Sequence, residues 1–229
     1  MPENINPEIK DIEYFIKKVG PGGDIGVIGV TGIFLPAEPI WLEATLAAPE
    51  LVERFFDCKL KYEKKMMEIQ AKLGVQVYWA GGDMADKNGP MYSPRVFRQI
   101  LLPRLKELCD YCHSLGGYYL FRSDGNLWAV SSDLFDKSGI DGYGEIDYDS
   151  GMRIKEVRDK FPKLALWGNV SCGSTLYSGT KQQIIDVVKE NIAATGGIGL
   201  IAGCSNSVLP GTPVENLMVL HETAKNSKI

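Results

Sequence analysis

The 229-residue sequence has only two histidines, no block of clustered lysine or arginine, and no apolar run approaching the ~18 residues of a membrane helix. Each absence excludes something. With His113 and His221 both outside loop motifs, histidine acid–base chemistry is not expected. A formal charge of -4 without a basic cluster argues against nucleic acid as the main partner, since phosphate binding needs grouped Lys and Arg. Neither GxGxxG nor GxxxxGK[ST] occurs, so the nucleotide-binding signatures of open α/β sheets are missing. The opening MPENINPEIKDIEYF is polar and acidic, without the apolar centre of a signal peptide. The expected location is cytoplasmic, and the five cysteines are expected as free thiols.

What is present begins with a misleading motif. Cys109-x-x-Cys112-His113 has the spacing of a haem attachment site or half of a metal site. From Ser93-Pro94 to Leu115, however, Val96, Phe97, Ile100, Leu101, Leu105, Leu108, Cys109 and Cys112 recur at steps of three and four. That is the buried face of one helix, with Ser93 as N-cap and Gly116-Gly117 as its stop. No second Cys/His pair supplies the other half of a zinc site.

Along the whole chain, short apolar runs alternate with amphipathic segments. The runs are Ile25–Val30, Val75–Ala80, Gly117–Phe121, Ile140–Ile146, Leu164–Trp167 and Ile198–Ala202. Helices are expected over roughly 40–73, 93–115, 127–137, 150–160, 180–194 and 213–225, with a further helical segment within 1–20. Continuous apolar strands, each followed by a helix, predict a parallel sheet in an α/β fold. Six βα units are visible in a single domain over 1–229. They suit an incomplete TIM-like barrel, which closes with eight, or an open doubly wound sheet. Every polar, glycine-rich cluster (Gly81–Asp86, Arg122–Asn126, Glu145–Asp147, Gly168–Asn169, Gly203–Asn206) follows a strand, and in a barrel these meet at one mouth.

The candidate site residues come from those clusters. Asp83 follows VYWAGG, where a carboxylate costs several kcal/mol unless solvated or paired; it reads as a base or substrate contact, or as a partner for Arg95 or Arg98. Arg122 and Asp124 are two apart and share a face of an extended segment, as converging site groups or as an ion pair. Arg122 suits a substrate carboxylate or phosphate. Asp83 and Asp124 are the catalytic candidates; Arg122, Asn126, Glu145, Asn169 and Asn206 are the substrate-binding ones.

Four stretches carry a family resemblance: GGDMADKNGPMYSPRVFRQILLPRLKEL (81–108), the Gly-Asn pair after GYYLFRSD, WGNVSCGSTLYSGT (167–180) and SVLPGTPVENLMVL (207–220). Together, in this order, they resemble the uroporphyrinogen decarboxylase superfamily, which includes corrinoid-linked methyltransferases. The segment 25–52 looks like the unit before them. The resemblance implies a distorted TIM barrel of which the N-terminal third has no counterpart here. It also implies three zinc-ligand positions in the methyltransferase branch, and these fall on Arg122, Asp124 and Asn206. Arginine has no lone pair to offer and Cys204 is two residues out of register, so zinc is not expected and no metal ligand is assigned. The decarboxylase's own histidine is missing where Asn206 stands.

The function implied is therefore methyl transfer with a corrinoid protein as partner, the corrinoid being carried by that partner rather than bound tightly here. Uroporphyrinogen decarboxylation is the alternative, and a non-catalytic, partner-dependent barrel subunit a second one. Six strands leave two sheet edges, so a homo-oligomer or a companion chain supplying strands is expected.

Overall fold

A computed structural model describes residues 7–19 and 28–227. Helix α1 (Pro7–Val19) lays Ile12 and Ile16 against the core. The sheet then starts with β1 (Ile28–Val30); the first half of the expected strand, residues 25–27, lies outside the described residues. The helices expected over roughly 40–73 are two, α2 (Pro39–Ala47) and α3 (Pro49–Lys72). Pro49 causes the break, because the residue before a proline is pushed out of helical geometry, and Ala48 sits at φ -149° and ψ 59°. Next come β2 (Val77–Gly81) and a small hairpin, β3 (Ala85–Asp86) with β4 (Gly89–Pro90), in a stretch read as a loop.

The expected 93–115 helix is interrupted. It begins as α4 (Pro94–Val96), widens into a π turn over Phe97–Leu101, and resumes as α5 (Leu102–Ser114). Pro103 has no N–H to give the turn behind it. The Arg104 guanidinium fills in, with Nη1 donating to the carbonyls of Ile100 at 2.7 Å and Gln99 at 3.4 Å. Strand β5 (Tyr118–Arg122) leads to a 3₁₀ turn (Trp128–Val130) and a π turn (Asp133–Lys137) in place of the expected helix over 127–137. The remainder is β6 (Gly142–Ile146), α6 (Ile154–Lys160), β7 (Ala165–Val170), a π-helical turn Cys172–Tyr177, α7 (Lys181–Thr195), β8 (Leu200–Cys204) and α8 (Val214–Asn226).

Six strands form one parallel sheet in the order β1-β2-β5-β6-β7-β8. Strand and helix alternate as in a TIM barrel, and among the described residues the curled sheet does not close: β1 and β8 are its two edges. The helices pack on the outer face through Tyr78, Tyr119, Phe121, Tyr143 and Leu166, all fully buried. The curl shows on the inner face. Trp79 and Trp167 lie on β2 and β7, three strands apart, yet their ring centroids are 3.8 Å apart. Gly144 lies beneath them, and a Cβ there would fall 2.8 Å from both rings, so no larger residue fits.

The CxxCH residues are structural. Cys109 and Cys112 are completely buried in the core, and His113 Nε2 meets Asp141 Oδ2 at 2.9 Å. Burial raises both thiols well above their ordinary range, Cys112 to about 12. Among the described residues, no helix is long and apolar enough to cross a membrane.

Candidate functional site

The site forms where the strands end at their carboxyl side. Strands β2, β5, β7 and β8 run one to three residues further than their apolar runs suggested, while β6 ends where its run did, so Arg122 and Asn169 stand on strands, not in the loops after them, as does Glu145. An apolar run marks the buried part of a strand, whereas the hydrogen-bonded ladder continues past it.

Two backbone devices aim the acids. At β6 the register with β7 shifts between Tyr143 and Ile146, and Glu145 adopts φ 62°, a left-handed conformation uncommon outside glycine. Without the shift Glu145 would follow Tyr143 to the outer face; with it, Glu145 Oε2 accepts a 2.8 Å hydrogen bond from Arg122 Nη1 on β5. The β3–β4 hairpin aims Asp83. Met84 N donates to Ser123 Oγ at 3.1 Å and Asn126 N to the Asp86 carbonyl at 2.7 Å, clamping the Asp83 loop on the Asp124 loop. Gly125, at φ 78°, is required by that clamp: a Cβ would lie 2.4 Å from the Ala85 carbonyl oxygen.

The result brings oxygens of Asp83, Asp124 and Glu145 within 4.8 Å of one another. Asp83 is exposed, Asp124 half-buried and Glu145 buried. Asn206 Nδ2, from the loop after β8, donates to Asp124 Oδ2, while Asp124 Oδ1 is buried with no hydrogen-bond partner among the described residues. Burial, then the neighbouring charges of Glu145, Asp83 and Asp147, push Asp124 up to about 7, against the opposing pull of Arg122. Glu145 is raised too, mainly by burial, with Arg122 holding it down. Asp124 therefore exchanges its proton near neutral pH, and in its protonated form Oδ1 has the donor it needs to face Glu145.

Asp83, Arg122, Asp124, Glu145 and Asn206 thus converge. Asn126 and Asn169 do not join them. Asn126 Oδ1 caps the following turn by accepting from Trp128 N at 3.1 Å. Asn169, at φ 72°, is buried; it accepts from Ile154 N at 3.3 Å and donates to the carbonyls of Ile146 at 3.2 Å and Met152 at 2.9 Å. Its amide is fully used in joining β6 to the start of α6. Neither suggested Asp83 partner pairs with it among the described residues: Arg98 pairs with Asp133 at 2.7 Å, and Arg95 forms no ion pair with Asp83. Asp147, whose Oδ2 accepts from Gly125 N at 3.3 Å, stood in the Glu145–Asp147 cluster without being named a site candidate, and Glu38, which lines the cavity, was passed over. The run of acids after β6 was the available signal for Asp147; Glu38 had none.

Beside the acids a cavity of about 460 Å³ is walled by Phe34, Glu38, Asp83 and Arg122, and a deeper one of about 270 Å³ by Val30, Tyr62, Trp79 and Arg122. A larger groove of about 760 Å³ between α7 and α8 is lined by Lys189 and Glu222 and lies away from the strand ends.

Comparison with known proteins places this geometry. The profile of the family described as uroporphyrinogen decarboxylase (URO-D) matches residues 39–227. The chain belongs to the uroporphyrinogen decarboxylase family. Within reach of that family lies the methylcobamide:CoM methyltransferase MtbA of Methanosarcina acetivorans, 28% identical over 133 residues, which are 58% of this chain and 37% of that protein. A solved methyltransferase from Methanosarcina mazei superposes with a TM-score of 0.75 at 23% identity, over 95% of this chain and 63% of that one. A D-tagatose 3-epimerase-like protein shares the fold more loosely, with a TM-score of 0.55 at 11% identity, covering 96% of this chain and 84% of its own. The chain therefore spans little more than a third of the length of the curated relative.

The zinc that the methyltransferase branch implies does not fit the three corresponding positions. The Arg122 guanidinium is committed to Glu145, and the Asn206 amide presents its N–H, a donor, to Asp124. The three carboxylates are an all-oxygen set that suits a hard cation better than zinc.

Proposed function

We propose that this URO-D family member transfers methyl groups at the mouth of its curled sheet, with a neutral or cationic small molecule as substrate and a corrinoid protein as partner. The observation that carries the reading is the acidic constellation itself. Asp83, Asp124 and Glu145 cluster with a single cation, Arg122, bonded to Glu145; Asp147 adds its charge beside Asp124, and Glu38 a further acid to the cavity wall. Such a mouth repels a polycarboxylate tetrapyrrole, which favours the methyltransferase side of the family over decarboxylation. The partial likeness to a methylcobamide-dependent enzyme supports the same side.

In this reading a corrinoid on the partner protein supplies the reactive methyl group. The chain's own residues bind and orient the acceptor. Asp124, poised near neutrality, takes the proton that the acceptor loses on methylation. Arg122 keeps the neighbouring Glu145 ionised and in place, and Asn206 fixes the Asp124 carboxyl through Oδ2.

The test incubates the purified protein with methylcobalamin and a panel of amines, alcohols and neutral and anionic thiols. Cobalt–methyl absorbance and product mass are followed, with uroporphyrinogen as a parallel arm. Demethylation with a neutral or cationic acceptor, lowered at least 100-fold in Asp124→Asn, is expected. Carbon dioxide release from uroporphyrinogen would establish the decarboxylase, and an absence of turnover in every arm would leave the partner-dependent subunit.

A further inference from the structure

Cys172 and Cys204 take no part in the chemistry proposed above, yet they sit at its border. Cys204 ends β8 and is paired in register with Val170 on β7. The β7 chain turns at Ser171, whose hydroxyl accepts from Gly173 N and Ser174 N, and this turn brings Cys172 back over the end of β8. Both sulfurs face a single acceptor. Cys172 Sγ lies 2.8 Å and Cys204 Sγ 3.1 Å from the backbone carbonyl oxygen of Asn206. The sulfurs are therefore closer together than the sum of those two contacts, although their places in the chain are 32 residues apart.

We propose that Cys172 and Cys204 form a redox-sensitive dithiol that closes to a disulfide and, in closing, releases the Asn206 loop from Asp124. Four observations support it. The pair straddles neighbouring strands at their ends, where a side-chain rotation and a small loop movement can bring sulfur to sulfur. Access is asymmetric: Cys172 is buried, 6% exposed, and Cys204 is half-buried, so an oxidant reaches Cys204 first. Reactivity runs the same way, because the Cys172 thiol beside it holds Cys204 down at about 6, while that contact and burial raise Cys172. Finally, both sulfurs lie against the carbonyl of the same Asn206 whose amide donates to Asp124. Forming the S–S bond consumes the Cys172 S–H that donates to that carbonyl.

The chemistry balances with a peroxide as oxidant. The Cys204 sulfur attacks one oxygen of hydrogen peroxide, the O–O bond breaks, and a sulfenic acid and one water result. The Cys172 sulfur then attacks Cys204, the S–O bond breaks, and a second water leaves as the S–S bond forms. Two thiols have lost two electrons and two protons, and the peroxide has gained them. A thiol reductant reverses the step by exchange.

Trp167 reports on the event without any assay of activity, because its indole packs on Gly203, one residue before Cys204; a Cβ there would fall 2.6 Å from Nε1. The native full chain is treated with hydrogen peroxide, quenched, alkylated and mapped by peptide mass, and tryptophan emission is followed in parallel. A Cys172–Cys204 linked peptide is expected, with Cys109 and Cys112 still reduced, together with an emission change that dithiothreitol reverses and Trp167→Phe abolishes. Cys172→Ser should instead trap a dimedone-reactive sulfenic acid on Cys204, and Cys204→Ser should leave Cys172 unoxidised. Over-oxidation of Cys204 beside an intact Cys172 in the unsubstituted protein would overturn the proposal. So would a disulfide through the exposed Cys58, or a Cys172–Cys204 link that leaves the emission unchanged.

Discussion

At the scale of single residues, Asp124 couples the site to the stability of the fold. Its folded-state value of about 7 lies above the ordinary 3.8, so between those values the folded protein holds a proton that the unfolded chain has released. Stability is then greatest on the acid side and falls as pH rises toward 7, by at most about 1.4 kcal/mol for each unit of displacement. Asp124→Asn should remove this slope: urea denaturation at pH 5 and pH 8 is expected to show the variant gaining on the unsubstituted protein at the higher pH. An equal effect of the substitution at both pH values would mean that Asp124 is ordinarily ionised. The Arg122–Glu145 pair makes the opposite case. Glu145 has 9% of its side chain exposed and Arg122 35%, so removing only the cation strands a buried carboxylate. Arg122→Met should cost roughly 1–3 kcal/mol, less than a fully buried pair would lose because Arg122 reaches water. The double variant Arg122→Met/Glu145→Gln should recover part of the loss in a double-mutant cycle. Additive costs would show that the 2.8 Å contact contributes little.

At the scale of elements, β6 is the strand on which the curl of the sheet depends. Gly144 presents no side chain to the inner face, and that space is where Trp79 and Trp167 meet across two intervening strands. Gly144→Val should force the indoles apart, flatten the sheet locally and cost about 3 kcal/mol, with loss of the near-ultraviolet tryptophan signal. A variant with normal stability and an unchanged spectrum would show that the rings do not define the curl. This is also where the legibility of the sequence divides. Alternating apolar runs and helices disclosed six strands, their parallel order and a common mouth, because burial on both faces leaves a compositional mark. Gly144 in IDGYGEI could be read as part of a strand, but not as the floor beneath two tryptophans 88 residues apart in sequence. The left-handed Glu145 was equally invisible, since the register shift that turns it inward is set by the pairing with β7. Asn169 was misplaced for the converse reason: a polar residue at a strand end looks alike whether it faces a substrate or, as here, two carbonyls and an N–H of its own backbone. Two of the π turns escaped notice because Pro103 and Ser171 act through hydrogen bonds they lack or redirect, and not through apolar periodicity.

At the scale of the whole molecule, the curled sheet leaves apolar surface that a closed barrel would cover. The inner-face residues Ile28 and Val30 on β1, Tyr118 at the start of β5 and Ile201 on β8 are 49%, 63%, 59% and 48% exposed. Among the described residues, β1 and β8 each have a neighbour on one side only, which leaves two rows of backbone N–H and C=O groups open to pairing. Neither device that usually blunts an edge, a proline or an inward-pointing charge, occurs within Ile28–Val30 or Leu200–Cys204. Scattered apolar residues on a surface need no explanation, but a row along an open edge favours association by both the hydrophobic effect and strand pairing. The chain alone, at micromolar concentration, should therefore run in light scattering as a species heavier than its 25.3 kDa. Lysine at both edges, Val30→Lys with Ile201→Lys, should shift it toward the single-chain mass, because a charge on each edge strand opposes pairing while leaving the helix-facing core untouched. Each position already has about half or more of its surface in water, so the substitutions should cost the fold little. A monodisperse 25.3 kDa particle before any substitution would mean that the two edges are already protected within one chain.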